Sequence, residues 1–296
     1  MTWQQIICRT TLEHQEALTD VLEEAGAASV TLEDAEDQPV LEPLPGETPL
    51  WDQLIVTGLY PADDDLTELM VLLETKRSAW ALSELRLERL EDRPWVREWM
   101  DNFHPMQFGK RLWVYPSWRE APNEPNSVKI LLDPGLAFGT GTHPTTALCL
   151  EWLDGEDLVG KSVLDYGCGS GILAIAAAKL GASQIVATDI DPQALQATLD
   201  NAQRNALGAE AIHTCYPDEL PQQQYDVVVA NILSGPLVKL APHILNYLKP
   251  QGRLALSGIL AEQGEPVAAA YAPSLENHDI QSQEEWLRLS GTKRGT

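Results

Sequence analysis

From residue 162 onward, the sequence alternates between short apolar segments typical of buried strands and segments with the spacing of helices. The strand-like segments span 163–166, 184–188, 225–230 and 253–257, and the helical segments between them span 172–180, 192–207 and 237–248. Such alternation predicts a parallel sheet, because each helix must cross one face of the sheet to reach the next parallel strand. With a further helix over 262–271 and a closing strand over 280–289, we expect a doubly wound α/β fold.

The front third of the chain repeats a strand, helix, strand order twice. Segments at 6–8, 29–32, 54–60 and 82–90 are strand-like, and helical spacing begins at Leu12 and Leu66. Two βαβ-like halves predict a small ferredoxin-like α+β domain over 1–93. Residues 94–105 start on a proline suited to a first helical turn and predict a linker helix. The remaining residues, 106–296, then form a second domain, as a length of 296 residues allows.

Charge is the strongest compositional signal. The chain has 44 acidic and 20 basic residues, a net charge of -24. Residues 1–93 hold 21 acids and 6 bases, and this third alone therefore carries -15. Direct nucleic-acid binding is not expected, because phosphate recognition depends on lysine and arginine. The acidic front third is either a docking surface for a basic partner or a solvated surface that secures solubility.

The remaining composition predicts a cytoplasmic, soluble protein without a metal, and nothing in the sequence requires more than a monomer. The four cysteines form no CxxC pair, which is typical of free thiols in a reducing compartment and not of a zinc site. Polar residues interrupt every apolar stretch of the first twenty residues, so we expect no signal peptide. No apolar run approaches the roughly 20 residues that a membrane span requires.

The clearest chemical motif is VLDYGCGSG at 163–171, where the first strand turns into a helix. Glycine lets a ligand approach the backbone at such a turn. The GxGxG spacing of Gly167, Gly169 and Gly171 departs from the GxGxxG of dinucleotide sites and suits adenosine carrying an amino-acid tail. Asp189 ends the next strand, where a carboxylate can accept hydrogen bonds from a ribose. Asp165 either holds the ligand's amino group or caps the turn.

A second motif, NILSGP, follows the strand at 225–230, at an edge where ligands bind in such sheets. The side-chain oxygen of Asn231 and the main-chain oxygen of Ile232 can orient the N–H groups of an amine and leave its lone pair free. The alternative is that Asn231 only ends the strand. No Lys, Cys or Glu nearby requires a nucleophile or a base. We therefore expect the amine to lose its proton to water and the reaction to be faster at alkaline pH.

The loop FGTGTHPTT at 138–146 lacks the lysine of a phosphate-binding loop. We expect His143, which precedes a proline at a helix start, to be structural. The helix start itself can offer hydroxyls and amides to the carboxylate end of a cofactor.

Taken together, the glycine turn and the strand-end acid resemble the S-adenosylmethionine site of class I methyltransferases. LDPGLAFGTGTHPTT, LDYGCGSGILAIAA, TDIDPQAL and VVVANILSGPL are similar to the ribosomal protein L11 methyltransferase family, PrmA. The resemblance implies methylation of lysine ε-amino groups and the N-terminal α-amino group of that basic protein. It implies cofactor contacts at Thr146, Gly167, Asp189 and Asn231, and a substrate-recognition role for the front third.

Two alternatives stay open at this point. One is a methyltransferase of the same fold that acts on another protein or on adenine, although Ile232 and Leu233 replace the prolines expected for adenine. The other is a nonenzymatic module that binds S-adenosylmethionine and acts in ribosome assembly. Loss of all methyl transfer despite tight cofactor binding would favour the second.

Overall fold

A computed structural model describes residues 3–36, 38, 49–90, 103–133, 139 and 141–295. The chain forms two compact units, Met1–Glu98 and Trp99–Thr296. The predicted linker helix at 94–105 falls mostly outside the described residues. Its last three positions, Phe103 to Pro105, belong to no helix.

The first unit has the order βαββαβ. Its elements are β1 (Trp3–Thr11), α1 (Leu12–Glu24), β2 (Ser29–Asp34), β3 (Gln53–Pro61), α2 (Thr67–Lys76) and β4 (Glu84–Leu90). The strands form one antiparallel sheet in the order β2-β3-β1-β4. Buried residues alternate along β3, so one face of the sheet packs against Leu18 and Leu22 of α1 and Leu69 and Leu73 of α2. This strand order is the ferredoxin-like arrangement.

The second unit begins with a small three-stranded sheet and continues into a large one. The elements are β5 (Met106–Phe108), β6 (Leu112–Tyr115), β7 (Val128–Leu131), α3 (Pro144–Gly155), β8 (Ser162–Tyr166), α4 (Ile172–Lys179), β9 (Gln184–Thr188), α5 (Pro192–Arg204), β10 (His213–Cys215), β11 (Tyr225–Asn231), α6 (Ser234–Lys239), α7 (Ala241–Asn246), β12 (Leu248–Leu260), α8 (Gly264–Tyr271), β13 (Leu275–Gln283) and β14 (Trp286–Lys293).

The large sheet has seven strands in the order β10-β9-β8-β11-β12-β14-β13. The first five strands are parallel, but β14 runs antiparallel to both β12 and β13. The expectation of a purely parallel sheet is therefore wrong at this edge. A tight turn between β13 and β14 joins them as a hairpin, which can only be antiparallel. The doubly wound α/β architecture itself is confirmed.

Neighbouring residues of the central strands belong to opposite faces of the sheet. Val227 and Val229 of β11 pack into a core with α3 and α4, whereas Val228 and Ala230 pack into a second core with α6, α7 and α8. Side chains alternate along a strand, so a strand that is buried on both faces must be apolar at every position. This explains the apolar run from Val227 to Ala230 within β11.

Two elements differ from the sequence-based prediction. The helix expected at 237–248 is two short helices, α6 and α7, which meet at Leu240. Pro242 cannot donate a backbone hydrogen bond and its ring displaces the preceding turn, so one continuous helix cannot form. The closing strand expected at 280–289 is the hairpin of β13 and β14, with Glu284 at a φ of 54° in the turn. No glycine or proline marks that turn.

All four cysteines are buried free thiols. Among the residues that the structure describes, no helix is long and apolar enough to cross a membrane. No cluster of three or more His, Cys, Asp or Glu side chains suited to a metal ion occurs within the same described ranges.

Asp226 fastens the amino-terminal ends of β8 and β11, at the edge opposite the site described below. Its Oδ2 accepts hydrogen bonds from the Ser162 backbone N–H (2.9 Å) and Oγ (2.7 Å) and from the Lys249 Nζ (3.0 Å). Burial acts to raise the pKa of Asp226, but these donors outweigh it and lower the pKa to about 2. A lowered carboxyl pKa stabilises the fold above the unfolded-state value, and this stability is lost as pH falls toward 2.

We therefore expect Asp226→Asn to lower the free energy of unfolding by about 2 kcal/mol at pH 7, since one pKa unit corresponds to about 1.4 kcal/mol. The difference from the unmodified protein should shrink at pH 3. Urea unfolding followed by circular dichroism at both pH values measures this. An equal difference at the two pH values would contradict the ionic role of Asp226.

Candidate active site

A cavity of about 760 Å³ opens at the carboxyl ends of the parallel strands. Its size lies within the range of about 300 to 1,000 Å³ that is usual for small-molecule sites. The residues that line it come from the carboxyl ends of β8, β9 and β11 and the turns that follow β8 to β11, from the start of α3, from α6 and its end, from β12 and from the hairpin. They are His143, Thr145, Tyr166, Gly167, Gly169, Thr188, Asp189, Ile190, Pro217, Asn231, Ile232, Leu233, Pro236, Leu240, Gly258 and Trp286.

Gly167 is the first glycine of the glycine turn and lines the cavity. Its φ of +85° lies in the left-handed region, which a residue with a Cβ adopts only with strain. The backbone here approaches Ile232 so closely that a Cβ on Gly167 would overlap the Ile232 Cγ2. The requirement for glycine at this position therefore has both a conformational and a steric cause.

Asp189 lies at the end of β9 with its carboxylate fixed by backbone N–H groups. Its Oδ2 accepts from the Gly169 N–H at 2.9 Å, and its Oδ1 accepts from the Asp191 N–H at 3.0 Å. The side chain is half-buried and lines the cavity. Each carboxylate oxygen has a further lone pair, so the pinned carboxylate can still accept hydrogen bonds from a ligand.

Asp165 is fully buried and is not one of the described residues that line the cavity. Its Oδ2 accepts the Ala174 N–H at 3.0 Å, in the first turn of α4. Its Oδ1 accepts no hydrogen bond from any residue in the described ranges. Burial, together with the nearby Asp189 carboxylate, raises the pKa of Asp165 to about 7 against the Ala174 hydrogen bond. The structure thus gives Asp165 a helix-capping contact, and a contact with a ligand's amino group stays a prediction.

Asn231 ends β11 and lines the cavity beside the glycine turn. Its Nδ2 donates to the Thr146 Oγ1 at 3.3 Å, which orients the side-chain amide. Its Oδ1 is buried and has no hydrogen-bond partner among the residues that the structure describes. A buried polar oxygen without a partner costs about 1 to 3 kcal/mol. This oxygen is therefore available to a hydrogen-bond donor that enters the cavity.

Thr146, which was expected to contact the cofactor, is completely buried and is held against Asn231. Its neighbour Thr145 lines the cavity instead. Successive residues at a helix start point in different directions, and the sequence alone does not decide which of two adjacent threonines faces a ligand. The structure places Thr146 one layer behind the cavity, where it supports Asn231.

His143 precedes α3 and caps it. Its Nδ1 accepts the Thr145 N–H at 3.3 Å and lies 2.7 Å from the Thr145 Oγ1, and its ring stands edge-on to Trp286 with centroids 4.8 Å apart. The structural role expected for His143 agrees with these contacts, although the ring also borders the cavity.

The sequence comparisons agree with this geometry. The chain matches the family described as Ribosomal protein L11 methyltransferase (PrmA) over residues 2–294. The chain belongs to this family. A relative of the same description from Actinobacillus pleuropneumoniae serotype 5b (strain L20) is 55% identical over 295 residues, which cover 99% of this chain and 100% of the relative. Another, from Ectopseudomonas mendocina (strain ymp), is 56% identical over 294 residues, again 99% of this chain and 100% of the relative.

One solved structure is similar to most of the chain. The ribosomal protein L11 methylase from Lactobacillus delbrueckii subsp. bulgaricus is 32% identical, and the match covers 66% of this chain and 100% of that chain with a TM-score of 0.59. Membership in this methyltransferase family confirms the predicted class I fold of the second unit.

Trp286 and Gly258 both line the cavity and were not predicted from the sequence. Trp286 reaches the cavity from the start of β14, a strand end that was hidden inside a single predicted strand. Gly258 lies near the carboxyl end of β12 and also lines the cavity. A lone glycine within a strand-like segment often marks a bulge, and this signal was present in the sequence.

Proposed function

We propose that this protein transfers methyl groups from S-adenosylmethionine to lysine ε-amino groups and the N-terminal α-amino group of ribosomal protein L11. The observation that carries the proposal is the buried Oδ1 of Asn231 in the cavity wall, to which no described residue donates a hydrogen bond. An amine is the acceptor that such an oxygen suits, because it can donate an N–H and still present its lone pair to the methyl carbon.

The residues of the cavity fit S-adenosylmethionine. The Asp189 carboxylate is oriented for ribose hydroxyls. Gly167 lines the cavity, and its missing Cβ makes room for the Ile232 side chain beside it. When bound, S-adenosylmethionine supplies an electrophilic methyl group, and the C–S bonding electrons return to sulfur as the amine nitrogen forms its new bond to carbon. We propose Thr146, Asp165, Gly167, Gly169, Asp189 and Asn231 as the residues that bind or support it.

Orientation is the main contribution of the protein to this reaction. The Asn231 Oδ1 and the Ile232 main-chain oxygen accept N–H groups of the amine, and the Thr146 hydroxyl holds the Asn231 amide in place. Correct orientation of two reactants accounts for a large part of many enzymatic rate enhancements. The amine's proton leaves to water, since His143 is engaged in capping α3.

The acidic first unit supports a basic protein as the substrate. Its net charge of -15 over residues 1–93 attracts lysine-rich surfaces and speeds their encounter. We propose this unit as the substrate-recognition domain, with residues 94–105 as the linker to the catalytic domain. An adenine acceptor in nucleic acid is disfavoured by the same charge.

The pH dependence should differ between the two kinds of acceptor amine. Only the unprotonated amine has a free lone pair, and the ordinary pKa is about 10.4 for lysine and about 8 for an N-terminal amine. We expect kcat/KM for lysine sites to rise about tenfold per pH unit between about pH 7 and 9, and the N-terminal site to level off near pH 8. Rates measured site by site, by peptide mass spectrometry, test this. A bell-shaped profile for lysine sites with a limb near pH 6.5, the ordinary pKa of histidine, would contradict proton loss to water.

A mixed pool of ribosomal proteins and ribosomal RNA, incubated with methyl-labelled S-adenosylmethionine, tests the proposed substrate. We expect the label in one basic protein, L11. Label in the RNA fraction would favour the adenine alternative. Bound cofactor without label in any fraction would favour a nonenzymatic binding module.

A further inference from the structure

Ile232 lies between two glycines that come from different parts of the sheet. Its side chain covers Gly167 of the glycine turn, and its main-chain carbonyl projects toward Gly258 of β12. Both glycines line the cavity with Ile232. The Ile232 main-chain oxygen, to which we assign the acceptor amine, therefore occupies space that a side chain at position 258 would take.

Gly258 combines a left-handed conformation with a very close approach. Its φ is +84°, and a Cβ added there would lie 2.7 Å from the Ile232 carbonyl carbon and nearer still to its oxygen. Real Cβ atoms essentially never come within 3.0 Å of such atoms, and the neighbour here is backbone, which cannot turn aside as a side chain can. Any L side chain at position 258 must displace the Ile232 carbonyl.

An independent feature of the sheet leads to the same point. The parallel pairing of β11 with β12 runs up to Asn231 opposite Ser257. The register between β12 and β14 shifts between Leu256 and Ile259, which is a bulge that contains Gly258. Bulges beside active sites commonly end a ladder and redirect the backbone. Here the β11–β12 pairing ends at Asn231, directly before Ile232, and the bulge of β12 begins beside that point.

We propose that Gly258 is a positioning residue for methyl transfer, because its missing Cβ leaves the space in which the Ile232 carbonyl is held toward the acceptor amine. This inference rests on the proposed function. The proposal gives Gly258 no contact with the ribose or the glycine turn. A change at Gly258 should therefore affect the acceptor side of the cavity and not the cofactor side.

Gly258→Ala should lower kcat by about a hundredfold, since a misplacement of about 1 Å can have an effect of that size. The dissociation constant for S-adenosylmethionine and the KM for L11 should change less than about threefold, because uniform binding is retained. Gly160→Ala is the matched control: Gly160 has a φ of +72°, but a Cβ there would meet nothing within 4 Å. It introduces the same backbone strain without the steric conflict, and its kcat should stay near that of the unmodified protein.

A second measurement does not depend on activity. The amide resonance of Leu233, which shares its peptide bond with the Ile232 carbonyl, should shift in NMR spectra of Gly258→Ala and remain in place in Gly160→Ala. If Gly258→Ala does not fold, Gly258→Asn replaces it, since asparagine adopts positive φ more readily yet still carries a Cβ. Low kcat with retained cofactor binding in Gly258→Asn would support the steric account.

The results distinguish failure of the proposed function from failure of the proposed role of Gly258. If the unmodified protein does not methylate L11, the proposed function fails. If it does, and Gly258→Ala has an unchanged kcat and an unmoved Leu233 resonance, the positioning role of Gly258 is refuted and the proposed function stands. Equal losses of kcat in Gly258→Ala and Gly160→Ala would also refute it, because strain alone would then explain the effect.

Discussion

Replacement of Asn231 by alanine is expected to lower kcat by about 5- to 150-fold, which corresponds to about 1 to 3 kcal/mol of transition-state stabilisation. The side-chain amide is oriented by Thr146, and its buried oxygen has no hydrogen-bond partner within the described part of the chain. Removal of that oxygen takes away an acceptor for the amine's N–H but leaves the ribose-binding carboxylate of Asp189 in place. The dissociation constant for S-adenosylmethionine should therefore change little.

Two further variants sharpen this test. Thr146→Val keeps the shape of the side chain but removes the hydroxyl that accepts the Asn231 amide, so kcat should fall by a smaller factor than in Asn231→Ala. Asn246→Ala changes an exposed asparagine at the end of α7 and should leave kcat and cofactor binding unchanged. A kcat for Asn231→Ala within about twofold of the unmodified protein would remove Asn231 from the mechanism.

Replacement of Asp189 by alanine should weaken S-adenosylmethionine binding by about 10- to 100-fold, since hydrogen bonds to a charged group contribute about 1.5 to 3 kcal/mol. Gly169 and Asp191 fix the carboxylate by their backbone N–H groups, so the free protein already holds it in one orientation. Once cofactor is saturating, kcat should be reduced much less than the affinity. Calorimetric titration with S-adenosylhomocysteine measures the binding term without turnover.

A ribose analogue distinguishes direct recognition from a loosened loop. The 2′-deoxy form of the ligand should bind more weakly than the parent to the unmodified protein and equally well to Asp189→Ala. Asp191→Asn alters a carboxylate in the same loop that caps α5 through the Gln193 N–H and does not line the cavity. It should preserve the preference for the ribose. An Asp189→Ala protein that still discriminates the two ligands would contradict the ribose role.

Much of the second unit was predictable because periodicity is decisive for strands buried on both faces. β8, β9 and β11 each contain a short apolar segment, and their bounds match the prediction within one residue. The prediction of secondary structure failed at two places in this unit. Pro242 divides the helix predicted over 237–248, and the hairpin of β13 and β14 turns at Glu284 without a glycine. β10 is only three residues long and gives no periodic signal.

Residues of the candidate site were predictable where the local backbone structure explains the residue type. Gly167 needs a left-handed turn, and Asp189 ends a strand at the ligand-binding edge, so the spacing of both could be read from the sequence. The partner of Asn231 could not, because Thr146 is 85 positions away in the chain. Trp286 reaches the cavity through the pairing of β12 with β14, a contact that no local pattern encodes.

The intact mass of purified ribosomal protein L11, recorded over time with this protein and S-adenosylmethionine, is the measurement that shows whether this protein methylates L11. We predict mass gains in whole methyl increments, located by peptide mapping on lysine side chains and the N-terminal amine, and strongly slowed with Asn231→Ala. An L11 mass that stays constant while titration shows the cofactor bound to the unmodified protein would contradict the account.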